Sequence, residues 1–182
     1  NLILRGMIEK ELADGLNRLK TLAEQLPDVN FEALNPQSDE VAPQMFVYST
    51  VETSADDLAE MTRAEAVGVD QVARFMSEYS LVQAGPLTRV VTDYQDNRMS
   101  FRVGYPYSGA TPLSVVGVQV GETPSGRAMH VLVEGNRDNI RAAYAQMNAY
   151  MQAHRISPRE GGLPWEIVHQ AGSADGLTPT RI

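Results

Sequence analysis

Apolar side chains return every three or four positions along the start of the chain, at Ile8, Leu12, Leu16, Leu19, Ala23 and Leu26. That is the spacing of one helical face, and it predicts a helix over residues 2–26, stopped by Pro27. Residues 27–43 hold Pro27, Pro36 and Pro43 among Asp, Asn, Gln and Ser, and are predicted as a linker. From Gln44 the period changes. Residues 45–53, rich in Val, Phe, Tyr and Thr, predict a strand. Ser54 with Asp57 three positions on resembles a capping box. It opens a predicted helix to about Tyr79, with Leu58, Met61, Val72, Phe75 and Met76 toward the core and a bend at Gly68. Gly85-Pro86 precedes a strand at 87–93, and Gln95-Asp96-Asn97 turns into a partner strand at 99–105. Residues 113–120 and 127–134 read as strands. Asn136 caps a helix whose Ile140, Tyr144, Met147, Met151 and His154 share one face. Gly161-Gly162-Leu163-Pro164 opens a strand at 165–170, and a last strand begins near Thr178.

The order of elements repeats, and so do some of the letters. Val51-Glu52-Thr53-Ser54-Ala55-Asp56-Asp57-Leu58 aligns with Val133-Glu134-Gly135-Asn136-Arg137-Asp138-Asn139-Ile140, and Ala84-Gly85-Pro86 with Gly162-Leu163-Pro164. Two β-α-β-β units in tandem are the economical reading. A helix and a sheet each bury one apolar face, so the units are expected to share a layered core. The predicted class is α+β: one curved antiparallel sheet, two helices packed on it, and a cleft between the repeats suited to a small molecule. Residues 44–182 form this domain. Residues 1–43 are the helix and linker before it. The helical stripe has no partner in the repeat. It is expected to pack loosely, to dock on a neighbouring chain as in a homodimer, or to end an upstream domain.

Composition narrows the function. The 182 residues are 43% hydrophobic and 21% charged, a globular balance. Fifteen basic against 23 acidic residues give a net charge of −8. A phosphate-backbone binder needs a basic footprint, so no direct nucleic-acid binding is expected, whereas acidity suits a cationic ligand. The absence of cysteine excludes disulfides, thiolate catalysis and Cys-ligated metals. No apolar run nears the ~20 residues of a membrane span. His130, His154 and His169 lack metal-ligand spacing, and no phosphate loop, dinucleotide fingerprint or nucleophile elbow occurs. No metal or cofactor is therefore expected. The compartment stays open, with the cytoplasm favoured.

Four motifs follow one another in the order of a known family: Gly85-Pro86, Phe101-Arg102-Val103-Gly104-Tyr105-Pro106, Pro124-Ser125-Gly126-Arg127 and Leu163-Pro164-Trp165-Glu166-Ile167. Over residues 44–182 the chain resembles the GyrI-like small-molecule-binding domain of SOUL-like fold. That domain is also the effector-binding domain of AraC- and MerR-type transcription activators. The first helix, with Gly15-Leu16-Asn17-Arg18-Leu19-Lys20, resembles the last helix of a START-like (SRPBCC) domain. The resemblance implies a bacterial, multidrug-type sensor that binds a hydrophobic, often cationic molecule in the cleft, with Glu166 as its buried acid. Some members instead hydrolyse strained cyclopropane compounds with a cleft Glu and aromatic partners. Val168, Val91 and Val133 stand where the family often has Tyr, Tyr and His or Tyr. That weighs against hydrolysis and implies a smaller or more apolar ligand.

Strand alternation puts Glu166, Val168 and Gln170 on one face and Trp165, Ile167 and His169 on the other. An unpaired buried carboxylate costs roughly several kcal/mol or raises its pKa. A lipophilic cation would remove that cost; pairing of Glu166 with an arginine of the fold is the alternative. Tyr48, Tyr105 and Tyr107 lie on strands expected to reach the cleft, either to stack on a ligand or as half-buried strand tyrosines. Trp165 is expected in the core or the cleft wall. The candidate ligand residues are thus Glu166, Trp165, Tyr48, Tyr105, Tyr107, Val168, Val91 and Val133, with none assigned to catalysis. The rival readings are a hydrolase using Glu166 with Tyr48 or Tyr105, and an interaction module whose cleft is unused.

Overall fold

A computed structural model describes residues 34–110, 116–159, 161–169 and the short strand at 180–181. The helix expected over 2–26, the linker up to residue 33, most of the 113–120 strand's first half and the start of the last strand lie outside the described residues.

The strands are β1 (Gln37–Val41), β2 (Met45–Ser54), β3 (Val82–Gln83), β4 (Leu87–Gln95), β5 (Arg98–Ser108), β6 (Gln119–Glu122), β7 (Gly126–His130), β8 (Leu132–Val133), β9 (Trp165–Val168) and β10 (Thr180–Arg181). Helix α1 (Leu58–Glu78) follows β2, and α2 (Arg137–Ala153) follows β8. The main sheet runs β6-β2-β5-β4-β9-β10-β8 and is antiparallel throughout, with β3 added to the end of β5. The six strands from β2 to β8 in that order form a palindrome. β2-β5-β4 is answered by β9-β10-β8, with β4 equivalent to β9, β5 to β10 and β2 to β8. The tandem repeat therefore builds a pseudo-twofold sheet whose two halves meet at the β4–β9 pair. Asp96 and Asn97 turn β4 into β5 with positive φ of 49° and 62°, the backbone of a two-residue hairpin turn.

Each repeat has its own apolar cluster on the helix-bearing side. Met61 of α1 packs with Val51, Phe101 and Val103, and further along the helix Val72, Phe75 and Met76 pack with Val47, Leu81 and Tyr107. Ile140, Ala143 and Met147 of α2 pack with Val131 and Val133. Gly68 lies inside the unbroken helix α1. A Cβ there would lie 2.9 Å from both Val51 and Val103 side chains, so the missing methyl lets the helix lie close on the sheet. Asn136 caps α2 through the amides of Asp138 and Asn139, as expected, but Asp57 rather than Ser54 caps α1, accepting from Glu60 N at 2.8 Å.

Three further expectations change. Residues 37–41 are not linker: β1 pairs antiparallel with β7 as a separate two-stranded sheet. The predicted 127–134 strand divides at buried Val131, because β7 pairs with β1 while β8 pairs with β10. Leu58 and His154, placed toward the core by periodicity, are exposed at the ends of their helices, His154 stacking on Tyr150 at 4.0 Å.

Candidate functional site

The β4–β9 register sets the site. Leu87 pairs with Val168, Thr88 with Ile167, Arg89 with Glu166, and Val90 with Trp165. Side chains alternate along each strand, so Arg89 and Glu166 share the helix-bearing face while Thr88, Val90, Trp165 and Ile167 share the other.

On the helix-bearing face four charged side chains close a ring. Glu166 is only 5% exposed. Arg89 donates to Glu166 Oε2 at 3.0 Å and to Glu65 Oε1 of α1 at 2.5 Å. Arg137, the first residue of α2, donates to Glu166 Oε2 at 3.3 Å and to Glu65 Oε2. Two carboxylates and two guanidiniums thus cancel formally, and both strands and both helices contribute. Burial alone would lower the Arg89 pKa, but the hydrogen bond and charge of Glu65, then those of Glu166, overcome it and raise it. The Tyr144 hydroxyl of α2 is buried beside Glu166 without a hydrogen bond of good geometry. Burial, then the Glu166 charge, hold its pKa far above the ordinary tyrosine value. Tyr105 is pushed up in the same sense by partial burial and then by Glu65.

The expected site residues divide between the faces. Glu166, Val168, Val91, Tyr105, Tyr107 and Val133 project to the helix-bearing side. Tyr105 faces Glu65, while Tyr107 lies in the α1 cluster and Val133 in the α2 cluster. Tyr48 and Trp165 do not join them. They lie across the sheet with Phe46 and Val90, Tyr48 stacking on Phe46 at 5.2 Å, with the Arg102 guanidinium 4.9 Å from the Tyr48 ring centre. There Trp165, Ile167 and Thr88 floor a pocket of about 460 Å³, walled by residues 39–42, Gln44, Thr123 and Pro124. The alternative raised for Glu166, pairing with an arginine of the fold, is the arrangement observed, with two arginines rather than one.

Sequence reasoning missed Glu65, Arg89, Arg137 and Tyr144 as site residues. A signal existed for two. Glu65 occupies the apolar stripe of α1, four residues after Met61 and three before Gly68. Arg89 sits in a strand between residues that alternate inward. A charge on a buried face asks for a partner. Among the described residues no group of three or more His, Asp or Glu is placed to hold a metal ion. No described helix is long and apolar enough to cross a membrane.

Known structures share this fold. The C-terminal domain of EcmrR superposes with a TM-score of 0.63 at 12% identity, covering 81% of this chain and 95% of that one. EcmrR in its complex with DNA gives 0.65 at 12%, covering 98% and 68%. SAV2435 bound to tetraphenylphosphonium gives 0.50 at 9%, covering 81% and 92%. A hydrolase from Listeria innocua gives 0.51 at 13%, covering 81% and 90%. No family model and no curated protein matches the sequence. The fold is thus consistent with the GyrI-like effector-binding fold that the sequence motifs resemble, a general small-molecule-binding architecture.

Proposed function

We propose that this chain is a GyrI-like domain that binds a hydrophobic, cationic small molecule without covalent chemistry, on the helix-bearing side around Glu166. The observation that carries this reading is a nearly buried carboxylate at the pseudo-twofold junction between two helices, with Tyr105 and Tyr144 beside its charge cluster. Tyrosine faces and a desolvated carboxylate are the pair of features that hold a lipophilic cation. The likeness to SAV2435, a structure bound to such a cation, supports the ligand class. The hydrolase reading asks for a carboxylate that positions water, and both Glu65 and Glu166 are engaged by guanidiniums. A regulatory output would pass through a segment or chain other than residues 44–182.

Calorimetric titration with tetraphenylphosphonium tests this. Removing one partner of a desolvated charge contact costs roughly 2–5 kcal/mol. Glu166→Gln is therefore expected to weaken binding about thirtyfold or more. Triphenylphosphine oxide, a neutral aryl analogue, is expected to lose little. Equal losses for both would mean that Glu166 shapes the site rather than supplying charge, and absence of binding by the unmodified protein would sink the reading.

A further inference from the structure

Resting on that reading, we infer that Arg137 is a built-in competitor for the ligand: it occupies the cation position beside Glu166 and Glu65, and a cationic ligand binds by exchanging with it. The charge count is the starting point. Glu65, Glu166, Arg89 and Arg137 sum to zero, so the closed ring has no vacant negative charge to offer. Adding a monocation would bury a net positive charge in a poorly solvated place, which is strongly unfavourable. Replacing one guanidinium by the monocation restores neutrality and keeps both carboxylates compensated.

The two arginines are not equivalent candidates for release. Arg89 stands on β4 between two paired strands, its side chain 12% exposed. Arg137 is 23% exposed and holds Glu166 at the longer distance of 3.3 Å against 3.0 Å. It is also the first residue of α2, where the helix dipole presents its positive end. A cation at that end is opposed by the helix, and the bonds to the two carboxylates hold Arg137 inward against it. A swing outward takes its guanidinium into water and relieves the clash with the dipole. Arg137 thereby becomes a specificity-determining residue. A neutral ligand has nothing to exchange for it, whereas a cation does.

Titrating the unmodified protein, Arg137→Met and Arg137→Lys with tetraphenylphosphonium and with triphenylphosphine oxide tests the exchange. Arg137→Met leaves the ring one charge short of neutral, and its affinity for the cation is expected to rise at least tenfold with the neutral analogue unchanged. Arg137→Lys keeps the charge but loses the fork that bridges Glu166 and Glu65, and its cation affinity is expected to lie between those of the other two. An unchanged or lower cation affinity in Arg137→Met, with the unmodified protein binding, overturns the exchange and leaves the proposed function standing. Equal gains for cation and neutral analogue show that Arg137 merely fills space and overturn it as well. No cation binding by any of the three proteins overturns both. Should Arg137→Met fail to fold, the ¹⁵Nη–H signals of the unmodified protein decide, since both Nη atoms of Arg137 donate to the carboxylates. On saturation the Arg137 Nη–H protons are expected to exchange with water as those of an exposed arginine do, while those of Arg89 stay protected. Continued protection of Arg137 in the saturated complex rules the exchange out.

Discussion

The two faces of the β4–β9 pair carry opposite solutions to one packing problem. On the helix-bearing face the halves of the molecule meet through charge: the α1 and α2 clusters each close on themselves, and the ring of Glu65, Arg89, Arg137 and Glu166 spans the junction. One residue along each strand, the other face meets through Val90 and Trp165, an apolar contact beside a pocket. Apolar packing loses stability by degrees, in proportion to the contacts a gap forfeits. A buried ion ring does not, since each charge depends on the others. The difference teaches where conformational change is expensive and where ligand discrimination can reside. On the proposed function, charge selectivity would belong to the helix-bearing face.

Adjacent substitutions on β4 test that contrast at its largest. Removing one member of a buried charge network costs about 3–5 kcal/mol, because it strands the remaining charges. Arg89→Met is expected to lower unfolding free energy by that amount. Thr88 faces the other way, and its hydroxyl donates to the Pro86 carbonyl at 3.2 Å. Thr88→Val removes one neutral hydrogen bond and is expected to cost about 1 kcal/mol. Urea denaturation of both variants measures the pair. Similar losses would mean the ring contributes no more to stability than a single hydroxyl, and the contrast between faces would fail.

The mirror order of the sheet was legible because each repeat carries its own strand, cap and turn letters. β1 was not, since Gln37–Val41 is polar and exposed and lacks the alternation of a half-buried strand. The burial of Glu166 was what the family resemblance implied, while parity along β9 gave the face it shares with Val168. Its partners were not legible, because the bonds join residues separated by 77 and 29 positions to Arg89 and Arg137, and Glu65 reaches Arg137 across 72. Periodicity states which way a side chain points; it cannot state which strand lies opposite. For the same reason Tyr48 was grouped with Glu166, although register places it across the sheet; Trp165, which alternation already put on the opposite face, was kept only as a candidate for the cleft wall.

Trp165 turns that separation into a measurement, being the single tryptophan of the chain. A cation held at Glu166 leaves the indole in its own half-buried setting on the opposite face. Acrylamide quenching of Trp165 is therefore expected to be the same with and without saturating tetraphenylphosphonium. A ligand seated in the pocket floored by Trp165, Ile167 and Thr88 would shield the indole and cut the quenching. That outcome, with Glu166→Gln binding as tightly as the unmodified protein, would move the site to the other side of the sheet.

The smallest effect concerns two hydroxyls, one on each face. That of Thr88 is satisfied, whereas that of Tyr144 is buried beside Glu166 of the charge ring without a hydrogen bond of good geometry. Tyr144→Phe removes a donor that makes no bond of good geometry, so at pH 7 it is expected to be neutral or slightly stabilising. Its signature is in alkali. Burial first, and the Glu166 charge second, raise the Tyr144 pKa in the folded state, against an opposing pull from Arg137 and Arg89. A group whose folded pKa exceeds its unfolded value stabilises fully below the unfolded pKa, here about 10, and that contribution fades as pH rises above it. Between pH 10 and 11 the unfolded chain releases the Tyr144 proton and the folded chain keeps it, which drains up to about 1.4 kcal/mol per pH unit. Tyr144→Phe is expected to remove that slope. Urea midpoints at pH 7, 10 and 11 read it. A variant that loses stability at pH 7 would mean the hydroxyl is bonded in the folded protein. A variant whose alkaline slope matches the unmodified protein would mean that Tyr144 titrates as freely as an exposed tyrosine.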